Sequence, residues 1–239
     1  MKKYLILISV LLTKVSFGQE FTESAQVIDK YLEVTKIKTL APDIKDIVLS
    51  YTSESQRGVA ETEMKFAFPY KVSMGVFSNG MEIMGMIYDG EKLKRKSSFG
   101  GNGNQEPKVG KEAYNEAIRM HPFLELEYAK ANITSSLLPS EKIGDMDVYV
   151  VQLTDENQKT WKDYFDVKTG FKVKSSFVNE SPRGKMESNV LYENYKTFKG
   201  SEILFPAIKK QGTQMGEIVS ELQSVKINKG IKEKDFEIK

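Results

Sequence analysis

The stretch Tyr164-Phe-Asp-Val-Lys-Thr-Gly-Phe171 constrains this chain more than any other, because it reads as a strand, a tight turn and the start of a second strand. Asp166 and Thr169 carry short polar side chains that fold back on the backbone, and Gly170 supplies the positive φ such a turn requires. On either side, Val148-Tyr-Val-Val-Gln-Leu153 and Phe171-Lys-Val-Lys-Ser-Ser-Phe177 run apolar or alternate with period two, as strands do. A turn this short joins antiparallel neighbours, since parallel ones need a long crossover. The second half of the chain is therefore expected to be an antiparallel meander, continued by Met186 to Tyr195, Ile203 to Pro206 and Met215 to Ile227.

The first half repeats the pattern. Runs beginning at Ile47, Ala60, Tyr70 and Met81 are separated by turn signals at Gly58, Pro69 and Asn79-Gly80, and Asp89-Gly90 leads into Leu93. Asn-Gly between apolar runs is the strongest short hairpin signal. In the second of these strands Met64, Phe66 and Phe68 share one face and Glu63, Lys65 and Ala67 the other, so one side is buried and one wet. The strand from Met81 to Tyr88 departs from this: Met84, Met86 and Tyr88 lie on one face and Ile83 and Ile87 on the other. Two readings fit such a strand. Either a helix covers one side and a loop or partner the other, or one face borders a cavity that accepts lipid, for which methionine's flexible thioether is suited.

Helices fill the remaining segments. Phe21, Ala25, Ile28 and Leu32 recur three or four apart, with Thr22 as the expected N-cap and Pro42 marking a point by which the helix has ended. Lys111 to Met120 places Ala113, Tyr114, Ala117 and Ile118 at helical spacing; Pro122 interrupts it, Phe123 to Tyr128 starts another helix, and Ile133 to Leu138 leads to Pro139. Ser97 to Gln105 is a loop by composition and lacks the Gly-Lys-Ser/Thr of a phosphate-binding loop. No repeat of about 20–50 residues recurs. The expected fold is α+β and β-rich, one domain over 19–239.

Residues 1–18 read as a secretory signal peptide: basic Met1-Lys-Lys-Tyr4, an apolar run from Leu5 to Leu12, and small residues at Ser16 and Gly18 before the cleavage point. The chain has no cysteine, which excludes disulfides and a lipid-modified N-terminal cysteine, and places the expected protein free in a bacterial periplasm or secreted. The signal holds three of the 35 basic residues and none of the 33 acidic ones, so the remainder is close to neutral. Without a dense Lys/Arg block it has no electrostatic footprint for nucleic acid.

Catalytic chemistry finds little purchase. His121 is the only histidine and no Gly-x-Ser-x-Gly elbow accompanies it, so it reads as a helix-end residue rather than a triad member. Without a second histidine or any cysteine, imidazole and thiolate metal sites are largely excluded. A copper site on Met81, Met84 and Met86 competes with simple packing, which their strand positions already explain. Glu61/Glu63 and Glu125/Glu127 each follow period two and are expected on solvated strand faces. Arg57 reads as a turn-flanking surface residue. Trp161 and Phe165 are either core or cavity lining. No cofactor and no catalytic residue is expected.

Taken in order, Tyr88-Asp-Gly90, Gly144-Asp-Met-Asp-Val-Tyr149, Tyr164-Phe-Asp-x-x-Thr-Gly170, Tyr192-Glu-Asn-Tyr195 and Phe205-Pro206 resemble the LolA/LolB-like family of periplasmic lipoprotein carriers across nearly the whole mature chain. The resemblance implies a curved antiparallel half-barrel sheet closed by a few helices, around an apolar cavity for lipoprotein acyl chains or another lipid. It also implies reversible binding, transfer towards the outer membrane and only transient membrane contact. Strand parity and helical face then select Leu49, Met64, Phe66, Met74, Met84, Met86 and Ile118 as lining residues. A non-catalytic envelope module acting with a protein partner is the alternative in the same fold.

Overall fold

The structure is a computed structural model that describes residues 21–98, 106–181, 184–213 and 216–238. The expected signal peptide 1–18 and most of the glycine-rich loop lie outside these residues. Helix α1 (Ser24–Val34) and the short α2 (Ile37–Leu40) precede five strands: β1 (Asp46–Ser55), β2 (Gly58–Ala67), β3 (Lys71–Ser78), β4 (Met81–Tyr88) and β5 (Lys92–Ser97). A two-residue β6 (Lys108–Val109) leads into α3 (Gly110–Ile118) and α4 (Leu124–Glu127). Seven strands complete the chain: β7 (Thr134–Ile143), β8 (Met146–Thr154), β9 (Thr160–Asp166), β10 (Lys172–Ser181), β11 (Gly184–Lys196), β12 (Phe205–Thr213) and β13 (Gly216–Ile227).

Among the described residues these form one antiparallel sheet in the order β6-β5-β4-β3-β2-β1-β13-β12-β11-β10-β9-β8-β7. Each half is a meander whose neighbours in sequence are neighbours in space. The two meanders become one sheet because β1 pairs with β13, Leu49 opposite Val225 and Tyr51 opposite Leu222. The fold is an α+β, β-rich, open half-barrel with its helices on the concave side. At the β3–β4 turn Asn79 and Gly80 take φ of 51° and 75°, as a two-residue hairpin loop requires.

One cross-strand row forms the spine of the first half. Ile47, Phe66, Val72, Tyr88 and Leu93 stand opposite one another from β1 to β5, each no more than 4% exposed. Ala113, Ala117 and Ile118 of α3 join them in the same core. The neighbouring row runs Leu49, Met64, Met74, Met86. In the second half Tyr149, Val151, Leu153 and Phe165 face the same core, where Tyr31 of α1 meets Phe165 edge-on at 5.6 Å. Val148, Val150 and Tyr164 point the other way and form a small convex-side cluster with Leu138, Ile143 and Val173.

Three expectations are corrected here. Helix α1 buries Ser24, Val27, Ile28, Tyr31 and Leu32 and leaves Ala25 exposed, because the larger Val27 and Tyr31 gain more from burial. Its N-cap is Glu23 rather than Thr22, and the Gln26 carboxamide accepts from both backbone N–H groups, at 3.0 Å from Thr22 and 3.1 Å from Glu23. The run before Pro139 belongs to a ten-residue strand that the sequence pattern did not announce: β7 holds Pro139 where its register with β8 shifts, between Leu138 and Glu141. An edge strand tolerates proline there because one side has no neighbour to receive the missing N–H.

The Asp166–Gly170 turn has the expected chemistry. Asp166 accepts from Lys168 N–H at 3.0 Å and from the Thr169 hydroxyl at 2.6 Å, and Gly170 sits at φ 77°. A Cβ on Gly170 would lie 3.0 Å from Lys30 Cγ and 3.5 Å from Val34, so the turn also seats α1. Gly170→Ala is expected to destabilise the fold by about 1–2 kcal/mol through left-handed strain alone, read as a lower urea midpoint with unchanged slope.

Candidate ligand-binding cavity

Between the concave face and the helices lies a cavity of about 540 Å³. Leu49 of β1 and Met64 and Phe66 of β2 line one side, Met120 and Leu124 the cover, and Trp161, Phe177, Leu204 and Phe205 the far wall. These surfaces suit an apolar guest. A polar wall completes much of the lining, with Tyr31, Tyr51, Glu125, Asp163, Lys172, Ser175, Tyr192, Tyr195 and Lys209 among its residues.

Lys172 is the centre of that polar wall. Its ammonium is paired with the Glu125 carboxylate from α4 and lies 3.5 Å from Asp163 of β9. Asp163, 2% exposed, also accepts from Ser175 at 2.5 Å and from the Tyr128 hydroxyl at 3.4 Å. The Tyr195 hydroxyl donates to the Lys172 carbonyl at 2.9 Å, and the ammonium lies 5.2 Å from the centre of the Tyr192 ring. Burial alone would push the Lys172 pKa down, but Asp163 and Glu125 outweigh it and hold it well above the ordinary value. Burial raises that of Asp163.

A β-bulge puts Lys172 there. Lys172 pairs with Phe165 and Lys174 with Tyr164, so β10 carries one extra residue against β9. Strict alternation from Ser175 and Phe177 would have sent Lys172 to the convex face; the bulge turns it inward. Glu125 corrects the strand reading of Glu125/Glu127. Phe123-Leu-Glu-Leu-Glu after Pro122 folds as a single helical turn, and Glu125 is 8% exposed instead of solvated.

The residues selected from sequence are divided by the structure. Leu49, Met64 and Phe66 line the cavity. Met86 and Ile118 are buried in the core, 1% and 5% exposed, and Met74 packs half-buried against it. Met84 is 48% exposed, opposite Val76 on β3. Met81 is exposed as well, so the three methionines of the copper alternative do not converge. Trp161 lines the cavity, while Phe165 is core. Glu125, Asp163, Lys172 and Lys209 were not selected. Asp163 left a signal, since it alternates with Trp161 and Phe165 on one strand face; Lys172 left none, because the bulge reverses its parity.

His121 also borders the cavity. Its ring lies 4.8 Å from Phe68, its Nδ1 accepts from Phe123 N–H at 3.1 Å, and burial pushes its pKa down to about 4 despite Glu127 and Glu125 nearby.

Neither a family model nor a curated protein matches the sequence. Solved structures do match it, and they show the fold: the chain is a LolA-like half-barrel. A LolA superfamily protein from Nitrosomonas europaea superposes with a TM-score of 0.59 at 15% identity, covering 91% of this chain and 99% of that one. A DUF1329 family protein from Desulfovibrio piger gives 0.56 at 12% identity, covering 89% and 96%.

Lys172→Met strands two buried carboxylates without a counter-charge and is expected to cost about 3–5 kcal/mol. Adding Glu125→Gln and Asp163→Asn should restore part of that loss in the same denaturant titration. His121 stays neutral in the fold but charges in the unfolded chain as pH falls below about 6.5. Its contribution is thus present at neutral pH and lost on acidification, by about 2 kcal/mol between pH 7 and 5. His121→Leu, whatever its effect at pH 7, should flatten the stability profile across that window.

Proposed function

We propose that the protein is a non-catalytic carrier that holds lipoprotein acyl chains or another lipid reversibly in the concave cavity, within the bacterial periplasm, for transfer towards the outer membrane. The observation that supports it is the cavity of about 540 Å³ with apolar walls from Leu49, Met64, Phe66, Trp161 and Phe177. Sites holding a single small ligand span about 300–1,000 Å³. Burying an acyl chain is worth about 0.8 kcal/mol per CH₂, so a guest can be held without covalent chemistry.

The polar wall fits a carrier better than a catalyst. The carboxylates of Glu125 and Asp163 are both engaged by Lys172, so neither is free as general acid or base. The same pairing ties α4 to the sheet, giving the cover a fixed closed position over the cavity. Among the described residues no helix is long and apolar enough to cross a membrane, and the signal peptide read from the sequence gives the route to the envelope.

Native mass spectrometry of the protein purified from a periplasm, followed by solvent extraction, tests the reading. Extra mass that resolves into acyl chains is expected. Met64→Glu, which puts a carboxylate on the apolar wall, should weaken lipid retention about thirtyfold. A bare protein mass that stays bare after incubation with lipoprotein or phospholipid would overturn the carrier reading and turn the search to a protein partner.

A further inference from the structure

The charges around the cavity distinguish among possible guests. Four cations line it: Arg119, Lys159, Lys172 and Lys209. Arg119 is held by Asp155, Lys172 by Glu125 and Asp163, and Lys159 is exposed to solvent. Lys209 differs. It sits half-buried on β12 opposite Tyr192 of β11, and among the described residues no carboxylate oxygen lies within about 4 Å of its ammonium. Its ammonium donates to the Tyr51 hydroxyl at 3.2 Å and lies 4.9 Å from the centre of that ring.

An ammonium drawn out of water without a counter-charge is costly unless something else supplies one. Burial alone would lower the Lys209 pKa, and Lys172 nearby lowers it further; Tyr51 and Tyr192 outweigh both and raise it above the ordinary value. Because Tyr51 accepts from Lys209, its own O–H remains available to donate. The Tyr192 hydroxyl, 3.2 Å from Ser175, is a second hydroxyl on the same wall. The arrangement is one charged donor flanked by hydroxyl donors, which recognises an anion. The Lys172 cluster, with two carboxylates to one ammonium, disfavours an anion at its own position.

We propose that Lys209, with the hydroxyls of Tyr51 and Tyr192, seats the anionic headgroup of a single-chain amphiphile, a carboxylate or phosphate monoester whose tail lies along the apolar wall of the cavity. This rests on the carrier reading and names the class of its ligand. The seat is polar and the adjoining surface, with Met64 and Phe66 on the strand next to Tyr51, is apolar, so the guest has one preferred orientation.

Calorimetric titration of the delipidated protein with dodecyl phosphate, dodecanol and inorganic phosphate tests this. Dodecyl phosphate is expected to bind about tenfold more tightly than dodecanol, the size of one charge-assisted hydrogen bond. Lys209→Met should remove that preference, and Lys209→Arg should keep it. If Lys209→Met fails to fold, Tyr51→Phe combined with Tyr192→Phe should reduce the preference instead. Equal affinity for the two chains, or equal weakening of both by Lys209→Met, would overturn the headgroup seat and leave the carrier reading standing. Inorganic phosphate binding as tightly as dodecyl phosphate would make this a free-anion site and overturn the proposal. Failure of both chains to bind would overturn both readings together.

Discussion

A lysine ammonium buried under a helical cover needs counter-charges beside it, because desolvation of an unpaired charge is costly. Lys172 reaches the concave side through a bulge in β10, finds Asp163 on the adjacent strand, and takes Glu125 from α4 as its second partner. The attraction links three separate elements at one point. Its net contribution to stability is small or even unfavourable compared with an apolar replacement, because desolvation opposes it. What it supplies is position: α4 cannot settle elsewhere without leaving Glu125 or Lys172 buried and unpaired.

The rest of the architecture makes that point accessible to a guest. Pairing of β1 with β13 joins two meanders into one sheet, and the sheet's curvature leaves more concave surface than the helices fill. On the side of α3 the surface is closed by the Phe66, Val72 and Tyr88 row against Ala117 and Ile118. The cavity therefore has an apolar flank inherited from the sheet's alternation and a charged flank in which the β10 bulge turns Lys172 inward.

The two flanks differ in how well the sequence discloses them. Strand boundaries from β1 to β5 follow directly from alternation and from Asn79-Gly80 and Asp89-Gly90, and α3 from the spacing of Ala113, Ala117 and Ile118. Leu49, Met64 and Phe66 were reachable by parity. Met84 and Met86 share parity with each other, yet one is largely exposed and the other buried, because the depth of a residue along a strand depends on where the helical cover ends. Parity names a face and says nothing of position along it. Glu125 was hidden for a related reason: a four-residue run of alternating Leu and Glu satisfies both a strand and one turn of helix.

The sequence by itself determined the antiparallel order within each meander, the turns and, apart from β7, the helix–strand succession. These rest on local properties, namely period-two alternation, positive-φ residues at turns and helical spacing. Tertiary structure decided that the first strand pairs with the last, that the β10 bulge turns Lys172 inward, and that Lys209 meets the Tyr51 hydroxyl and, among the described residues, no carboxylate. Each of those depends on groups distant in the chain, and the strength of a charge's demand for a partner is set only when folding removes the water around it.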